Sequence, residues 1–279
     1  MIRIITDSAS DFELSEAEKL NVTVLPMQIQ FGNASFLDRY EITADTFYQK
    51  LIETDALPST SQINPYTFEA EYRKIHSAGD SAVVILVGSD LSGTYQNAVL
   101  AAADYDNIYV IDSKNVTVGE QCLVRLAVQL RDAGTGASEI ADILIQKRDK
   151  VTILALLNTL EYLKKGGRIS AAAAAVGNLL VIKPVITLQD GKIAVIGKAR
   201  GSKSGNNLLI EQIKKEGIDF SLPLVLGYSG LERTLLNKYI EDSRFLWDAH
   251  ITFPEISQMG STIGTHAGPG AVAVGFFHP

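Results

Sequence analysis

Apolar positions along the chain follow two rhythms. In the first half, short β-rich runs at Ile2–Thr6, Val22–Phe31, Ala82–Val87 and Ile108–Ile111 alternate with helical stretches at Thr67–His76, Thr94–Ala103 and Glu120–Asp132. That alternation is the pattern of βαβ units and a parallel sheet. Ala82–Val87 is apolar without interruption, as a central parallel strand covered on both faces must be. Around Val151–Lys165 the rhythm changes. Lys183–Leu188 and Ile193–Lys198 read as strands flanking Gln189-Asp190-Gly191-Lys192, and Asp-Gly between two such runs predicts a hairpin. Further strands are expected at Leu224–Tyr228, His250–Phe253 and Ala271–Phe277, with helices near Ser204–Glu216 and Glu232–Asp242. The expected fold class is α/β: an N-terminal parallel-sheet domain with flanking helices over residues 1–157, then a C-terminal α+β domain with a largely antiparallel sheet over 158–279. The run Ala171–Ala175 predicts a closely packed helix.

Composition sharpens this picture. The chain has 279 residues, of which 46% are hydrophobic, and its mean hydropathy is +0.12. A core of good size, and a cavity within or beside it, are both within reach. The formal charge is 25 − 32 = −7 and no basic block interrupts the sequence, which argues against nucleic acid or an anionic membrane surface as main partner. Cys122 stands alone, so neither an internal disulfide nor a multi-cysteine metal site is expected, and the cytoplasm is the natural compartment. The longest apolar stretches, Ser81–Val87 and Ala171–Val176, fall far short of the roughly 18 residues of a membrane helix. The opening MIRIITDSASD lacks the apolar segment of a secretory leader.

Familiar catalytic signatures are missing: no phosphate loop, no dinucleotide fingerprint, no zinc-protease motif and no nucleophile elbow. The four histidines are scattered. What stands out instead are hydroxyl residues at strand ends: Thr6-Asp7-Ser8, Ser89 to Thr94, and Asp112-Ser113. In an open parallel sheet the carboxyl ends of the strands form the ligand crevice, so these loops should share a rim. Ser92 sits where a helix N-cap belongs, and Gly93 and Thr94 open the helix. Its free amides and dipole would favour an anion, although Ser92 could equally be a plain cap. Pro58-Ser59-Thr60-Ser61-Gln62 reads either as a second hydroxyl cluster or as an ordinary polar loop. His266 lies in the glycine-dense loop Gly264–Gly270, positioned either for binding and proton handling or for structure. The turn Lys164-Lys165-Gly166-Gly167-Arg168 is a functional cation or a solvated helix end.

Taken together, Thr6-Asp7-Ser8-Ala9-Ser10-Asp11, Pro58–Gln62, Leu91-Ser92-Gly93-Thr94-Tyr95-Gln96, Leu163–Ile169, Lys183-Pro184 and Gly264–Gly270 resemble, in order and across essentially the whole chain, the motifs of the DegV family. The resemblance implies a protein that binds a long-chain fatty acid in a buried tunnel, with no cofactor, no metal and no catalytic residue of its own. Its carboxylate would be held by Ser61 with Thr60 beside it, by Ser92 with the Gly93 and Thr94 amides, and by His266. Arg168 would belong to the head-group network or to a partner surface. Many members serve as the acyl-carrying subunit of a bacterial fatty acid kinase. The implied partners are therefore an ATP-binding kinase subunit, which makes an acyl-phosphate, and an acyltransferase that feeds phospholipid synthesis, with at most transient membrane contact and no nucleic acid. A carrier or sensor without a kinase partner would use the same tunnel. A metabolic enzyme using Ser92 as nucleophile and His266 as base is the third reading, and no acidic residue in a recognisable position completes its triad. Two departures from the family pattern, Ile63-Asn64-Pro65 and the alanine run, bear on loop position and tunnel shape.

Overall fold

The structure, a computed structural model, describes residues 1–54, 57–170, 182–251 and 254–279; Ala171–Ala175 and the helix expected there lie outside these. Strands β1 (Ile2–Asp7), β2 (Val22–Leu25), β6 (Ser81–Leu86) and β7 (Ile108–Asp112) form a parallel sheet in the order β2-β1-β6-β7. Apart from Ser81, every residue of β6 is buried, which is why its sequence carries no polar alternation. A small antiparallel sheet joins β4 (Ala34–Leu37), β3 (Gln28–Phe31) and β5 (Ser59–Ser61). The third sheet has the order β10-β9-β8-β13-β11-β12, from β8 (Val151–Leu156), β9 (Ile182–Gln189), β10 (Lys192–Arg200), β11 (Val225–Tyr228), β12 (Glu255–Gln258) and β13 (Val272–Phe277). It is antiparallel except between β11 and β12. The sequence-derived class, parallel sheet first and largely antiparallel sheet second, is the observed one.

The described helices are α1 (Leu14–Lys19), α2 (Ala44–Glu53), α3 (Pro65–Ser77), α4 (Thr94–Ala101), α5 (Thr117–Asp132), α6 (Ala137–Lys147), α7 (Glu161–Lys165), α8 (Gly201–Glu216), α9 (Thr234–Ser243) and α10 (Ser261–Ala267). Helix α5 is the hinge of the design. It lies between the parallel and six-stranded sheets, touching β1 and β6 on one side and β8, β11 and β13 on the other, and is buried almost continuously from Thr117 to Val128. The close approach depends on glycine: a Cβ on Gly275 would lie 2.5 Å from the Val118 carbonyl oxygen. The largest buried cluster accordingly runs from Ile4 and Val84 through Val118 and Cys122 to Val225 and Ala273.

Several local expectations change. Val22–Phe31 is two strands in two sheets, β2 and β3, broken at Pro26-Met27; a proline has no N–H for the ladder. The strand placed at His250–Phe253 is found instead at Glu255–Gln258, with residues 252–253 outside the described set. Sheet membership changes at Val151, because β8 pairs with β9 and β13, so this strand ahead of position 157 builds the second sheet. The hairpin turn stands: Asp190 and Gly191 both have positive φ, 50° and 76°, as a two-residue I′ turn requires.

Candidate functional site

The carboxyl ends of the parallel strands face the six-stranded sheet across a cavity of about 410 Å³, within the usual size range of small-molecule sites. The strand ends contribute Ala9 after β1, Val87 and the Leu91–Gly93 loop after β6, and Val116 and Thr117 after β7. The opposite wall is one face of the antiparallel sheet: Ile153 and Ala155 from β8, Ile186 and Leu188 from β9, Ile193 from β10 and Ala273 from β13. Register explains the open space. Ala273 pairs with Ala155, and Ala155 with Ile186, so two adjacent methyl side chains stand where the larger aliphatics of neighbouring rows would fill the gap. Helix α10 closes a third side with Thr262, Ile263 and His266.

Polar atoms gather at the mouth. Thr60 and Ser61 are on β5, held in register opposite Ile29 and Gln28. Thr60 Oγ1 lies 3.0 Å from His266 Nε2. Ser92 Oγ lies 2.9 Å from Thr94 Oγ1 and accepts from the Thr94 amide at 3.3 Å. Gly93, not Ser92, occupies the cap position of α4, one residue later than the sequence suggests. A side chain there would collide with Gln62, whose Oε1 would be 1.9 Å from the added Cβ. Thr94 is fully buried and lies outside the cavity lining; its hydroxyl accepts from Ile63 N at 3.3 Å and braces the β5–α3 connection. Asn64 caps α3 through the Thr67 amide at 3.0 Å, with Pro65 in its first turn, so Ile63-Asn64-Pro65 is a helix start.

His266 sits in the last turn of α10 rather than in a loop, a correction to the reading of the glycine-dense segment. Burial and the positive charge of Arg168 push its pKa down to about 4, so the imidazole is neutral at pH 7. Nδ1 is buried without a hydrogen-bond partner. Gly166 leaves room for the ring, since a Cβ there would be 2.2 Å from Nδ1. Arg168 donates from Nε to the Leu91 carbonyl at 3.1 Å and from Nη1 to the Gly166 carbonyl at 2.7 Å. It thereby ties the Leu91–Thr94 loop to the α7 turn and sets a guanidinium in the cavity wall.

Behind the lining residues Ala9 and Thr262 lies a buried charged network, of which the sequence motifs included Asp7 and Asp11 but not Asp38, Arg39 or Glu120. The Asp38 carboxylate accepts from the Ser261 and Thr262 amides, both at 3.1 Å, from Thr262 Oγ1 at 2.5 Å and from Ser261 Oγ, and so caps α10. Asp11 Oδ1 accepts from Gly260 N at 2.7 Å and from Arg39 Nη2 at 3.2 Å; Arg39 also binds Glu13 and, at 2.6 Å, the Gln258 carbonyl. Asp7 takes the Ala9 and Val87 amides at 2.8 and 2.9 Å, locking the end of β1 to the end of β6. The Thr6-Asp7-Ser8 motif is thus scaffold at the rim. Burial pushes the carboxyl groups of Asp7 and Asp11 up to about 7 and that of Glu120 well above the carboxylate range. The available signal for Asp38 and Arg39 was an adjacent acid–base pair between apolar runs, with no spacing to link it to Ser261.

Six of the seven expected residues, Thr60, Ser61, Ser92, Gly93, Arg168 and His266, therefore line one cavity, and Thr94 stands behind it. Ser92 pairs with Thr94 and His266 with Thr60, so the serine–histidine couple of an enzyme is not formed. Among the described residues, no group of three or more His, Cys, Asp or Glu side chains could hold a metal ion, and no helix is long and apolar enough to cross a membrane.

Comparison with known proteins gives a uniform result. A DegV domain-containing protein of Caldanaerobacter subterraneus subsp. tengcongensis is 32% identical over 279 residues, covering 99% of this chain and 98% of that protein. A DegV family protein from Thermus thermophilus, described by its fatty acid binding, superposes with a TM-score of 0.88 at 29% identity, covering 100% and 99% of the two chains. A stearic acid-binding protein from Eubacterium ventriosum gives 0.88 at 27%, covering 100% and 98%. The model of the DegV family, described as uncharacterised, matches residues 1–278, and the chain belongs to that family.

Proposed function

We propose that this protein binds a long-chain fatty acid, with the tail on the Ala155–Ala273 floor and the carboxylate at the mouth. The observation that carries the reading is the make-up of the cavity: buried aliphatic side chains, Val87, Ile153, Ala155 and Ala273 among them, line one part of it, while the half-buried or exposed Thr60, Ser61, Ser92, Arg168 and His266 line another. The fatty acid binding described for relatives from Thermus thermophilus and Eubacterium ventriosum supports it.

The energetics are sufficient. Burying a chain of ~16 carbons at ~0.8 kcal/mol per methylene offers on the order of 11 kcal/mol before ordering costs. Tight binding can therefore come from the tail, and the head group needs orientation more than attraction. A carboxylate leaving water must be hydrogen-bonded. The Ser61 and Ser92 hydroxyls, the first-turn amides of α4 and the Arg168 guanidinium supply donors. Neutral His266 accepts from or donates to Thr60 according to its tautomer, which fixes the Thr60 hydroxyl beside the carboxylate.

The half-exposed head-group cluster favours a second step: presentation of the carboxylate to a separate ATP-binding kinase subunit, which transfers a phosphoryl group to give an acyl-phosphate. The chain then holds the product's tail until an acyltransferase takes the acyl group. Incubation with a fatty acid, ATP and a fatty acid kinase catalytic subunit should yield acyl-phosphate, and incubation without that subunit should not. Product formed by this chain alone, or none in the complete mixture, would contradict the reading.

A further inference from the structure

Two stretches of chain run outward from the cavity mouth, and neither carries a charge. Leu57–Phe68 supplies Thr60, Ser61 and Gln62 to the lining and then enters α3; Leu91–Ala103 supplies Leu91, Ser92 and Gly93 and then becomes α4. At the 20% charged content of the chain, these two stretches would hold about five charged residues between them; they hold none. The helices start together, since Asn97 Nδ2 of α4 donates at 2.8 Å to the Ile63 carbonyl just ahead of α3, and they pack against each other.

The outward side of this pair is apolar. Thr94 and Ala98 are the buried residues of α4, whereas Val99 and Leu100 are 43% and 67% exposed, with Gln96 exposed one turn before them. Tyr66, in the first turn of α3, is 81% exposed. A surface helix ordinarily turns charged residues to water, as α3 does further along with its Arg73–Glu69 and Lys74–Glu71 pairs. Depletion of charge together with an open tyrosine is the composition of the core of a protein interface.

Continuity with the mouth says what covers this face. A partner that transfers a phosphoryl group to the carboxylate has to cover the mouth, and a standard interface buries roughly 800 Å² on each side, a disc about 16 Å in radius. Leu100 is seven residues beyond Gly93, about 10 Å along the helix at ~1.5 Å per residue, and Tyr66 opens the helix beside it, so both fall within that footprint. A membrane surface is the poorer match: the face has no Lys or Arg to be drawn to anionic headgroups, and the chain as a whole carries a net charge of −7.

We propose that the face formed by Tyr66, Gln96, Val99 and Leu100 is the docking surface for the ATP-binding kinase subunit, which meets it with an uncharged, apolar patch of its own; the inference rests on the kinase reading above. Docking there brings the partner's ATP over Ser61 and Ser92. None of the four residues lines the cavity, so the face governs association of the subunits and leaves cargo affinity to the cavity.

The test is steady-state acyl-phosphate synthesis from stearic acid and ATP by a fatty acid kinase catalytic subunit, with the concentration of this protein varied, alongside calorimetric titration of each variant with stearic acid. Tyr66→Ala and Leu100→Glu should each raise the KM for this protein at least about fivefold, while kcat and stearate affinity stay within about twofold of the parent, the pattern of a lost docking contact. Ile145→Glu, at an exposed residue of α6, which packs on α5, should leave all three unchanged. A parent-like KM in both test variants would overturn the proposal, with product from the wild type still upholding the kinase reading. An equal fall in stearate affinity would overturn it too and assign the residues to the lipid site. Unchanged KM with loss of binding to phosphatidylglycerol vesicles in Leu100→Glu would overturn it in favour of a membrane surface. If Leu100→Glu does not fold, the exposed Tyr66→Ala alone decides. No product from the wild type in the complete mixture would overturn the kinase reading, and this inference with it.

Discussion

At the mouth, each polar side chain has a separable task. On the proposed reading Ser61 and Ser92 would each supply one donor to the fatty acid carboxylate, worth about 1.5–3 kcal/mol. Ser61→Ala and Ser92→Ala should therefore each weaken fatty acid binding by roughly tenfold or more with little change in melting temperature; parent-like affinity in both would remove the head-group assignment. His266 is neutral and touches Thr60 rather than the cavity floor, so His266→Ala should lower acyl-phosphate formation with the kinase subunit more than it lowers fatty acid affinity. An equal effect on both would assign His266 to binding alone. Gly93 shows how tightly the loop is drawn: Gly93→Ala has to displace Gln62 and should loosen the Ser92 loop.

Among the elements, α10 is the one whose placement governs the site, since it carries Thr262, Ile263 and His266 into the lining. Its sequence, Ser-Thr-Ile-Gly-Thr-His-Ala, has weak helix propensity. The Asp38 cap and the packing of Gly264 on Phe47 and Tyr48, where a Cβ would be 2.5 Å from Phe47, impose the helix from outside. Asp38→Ala strands two amides and two hydroxyls in the interior. A loss of about 3–5 kcal/mol, or about 10 °C in a chain of this size, is expected by thermal melting, and a change below about 3 °C would contradict this account of the cap. That dependence explains why α10 was invisible to sequence reasoning, whereas β6 and α5, whose own apolar patterns suffice, were legible. Strand β12 was misplaced because Glu-Ile-Ser-Gln has one apolar residue and is held by pairing with β11. The motifs singled out Ser61, Ser92, Arg168 and His266, which line the cavity, but not the contacts that hold them, such as Arg168 to Leu91 and His266 to Thr60, 77 and 206 residues apart. The Ala155–Ala273 pair is a further register effect. Ala273→Leu should narrow the floor and shift preference toward shorter acyl chains in competition binding; an unchanged preference would move the tail elsewhere.

For the whole molecule, the acidic interior sets a pH dependence. Asp7 and Asp11, with ordinary carboxyl values near 3.8 raised to about 7 in the fold, bind protons more readily folded than unfolded. Their contribution is present at low pH and is lost as pH rises from about 4 through 7. His266, lowered from 6.5 to about 4, acts oppositely, its stability lost as pH falls through that window. The melting temperature should therefore peak in the mildly acidic range and fall by several degrees between pH 6 and 8.5; a rise over that interval would contradict the buried-acid account. The 46% hydrophobic composition also acquires a second meaning, since part of it faces a cavity instead of protein. Mass spectrometry of the lipid extracted from the full chain, purified without added lipid, tests that most directly. The account predicts a long-chain fatty acid in amounts equimolar with protein. No co-purifying fatty acid, together with no uptake of added stearic acid, would contradict it.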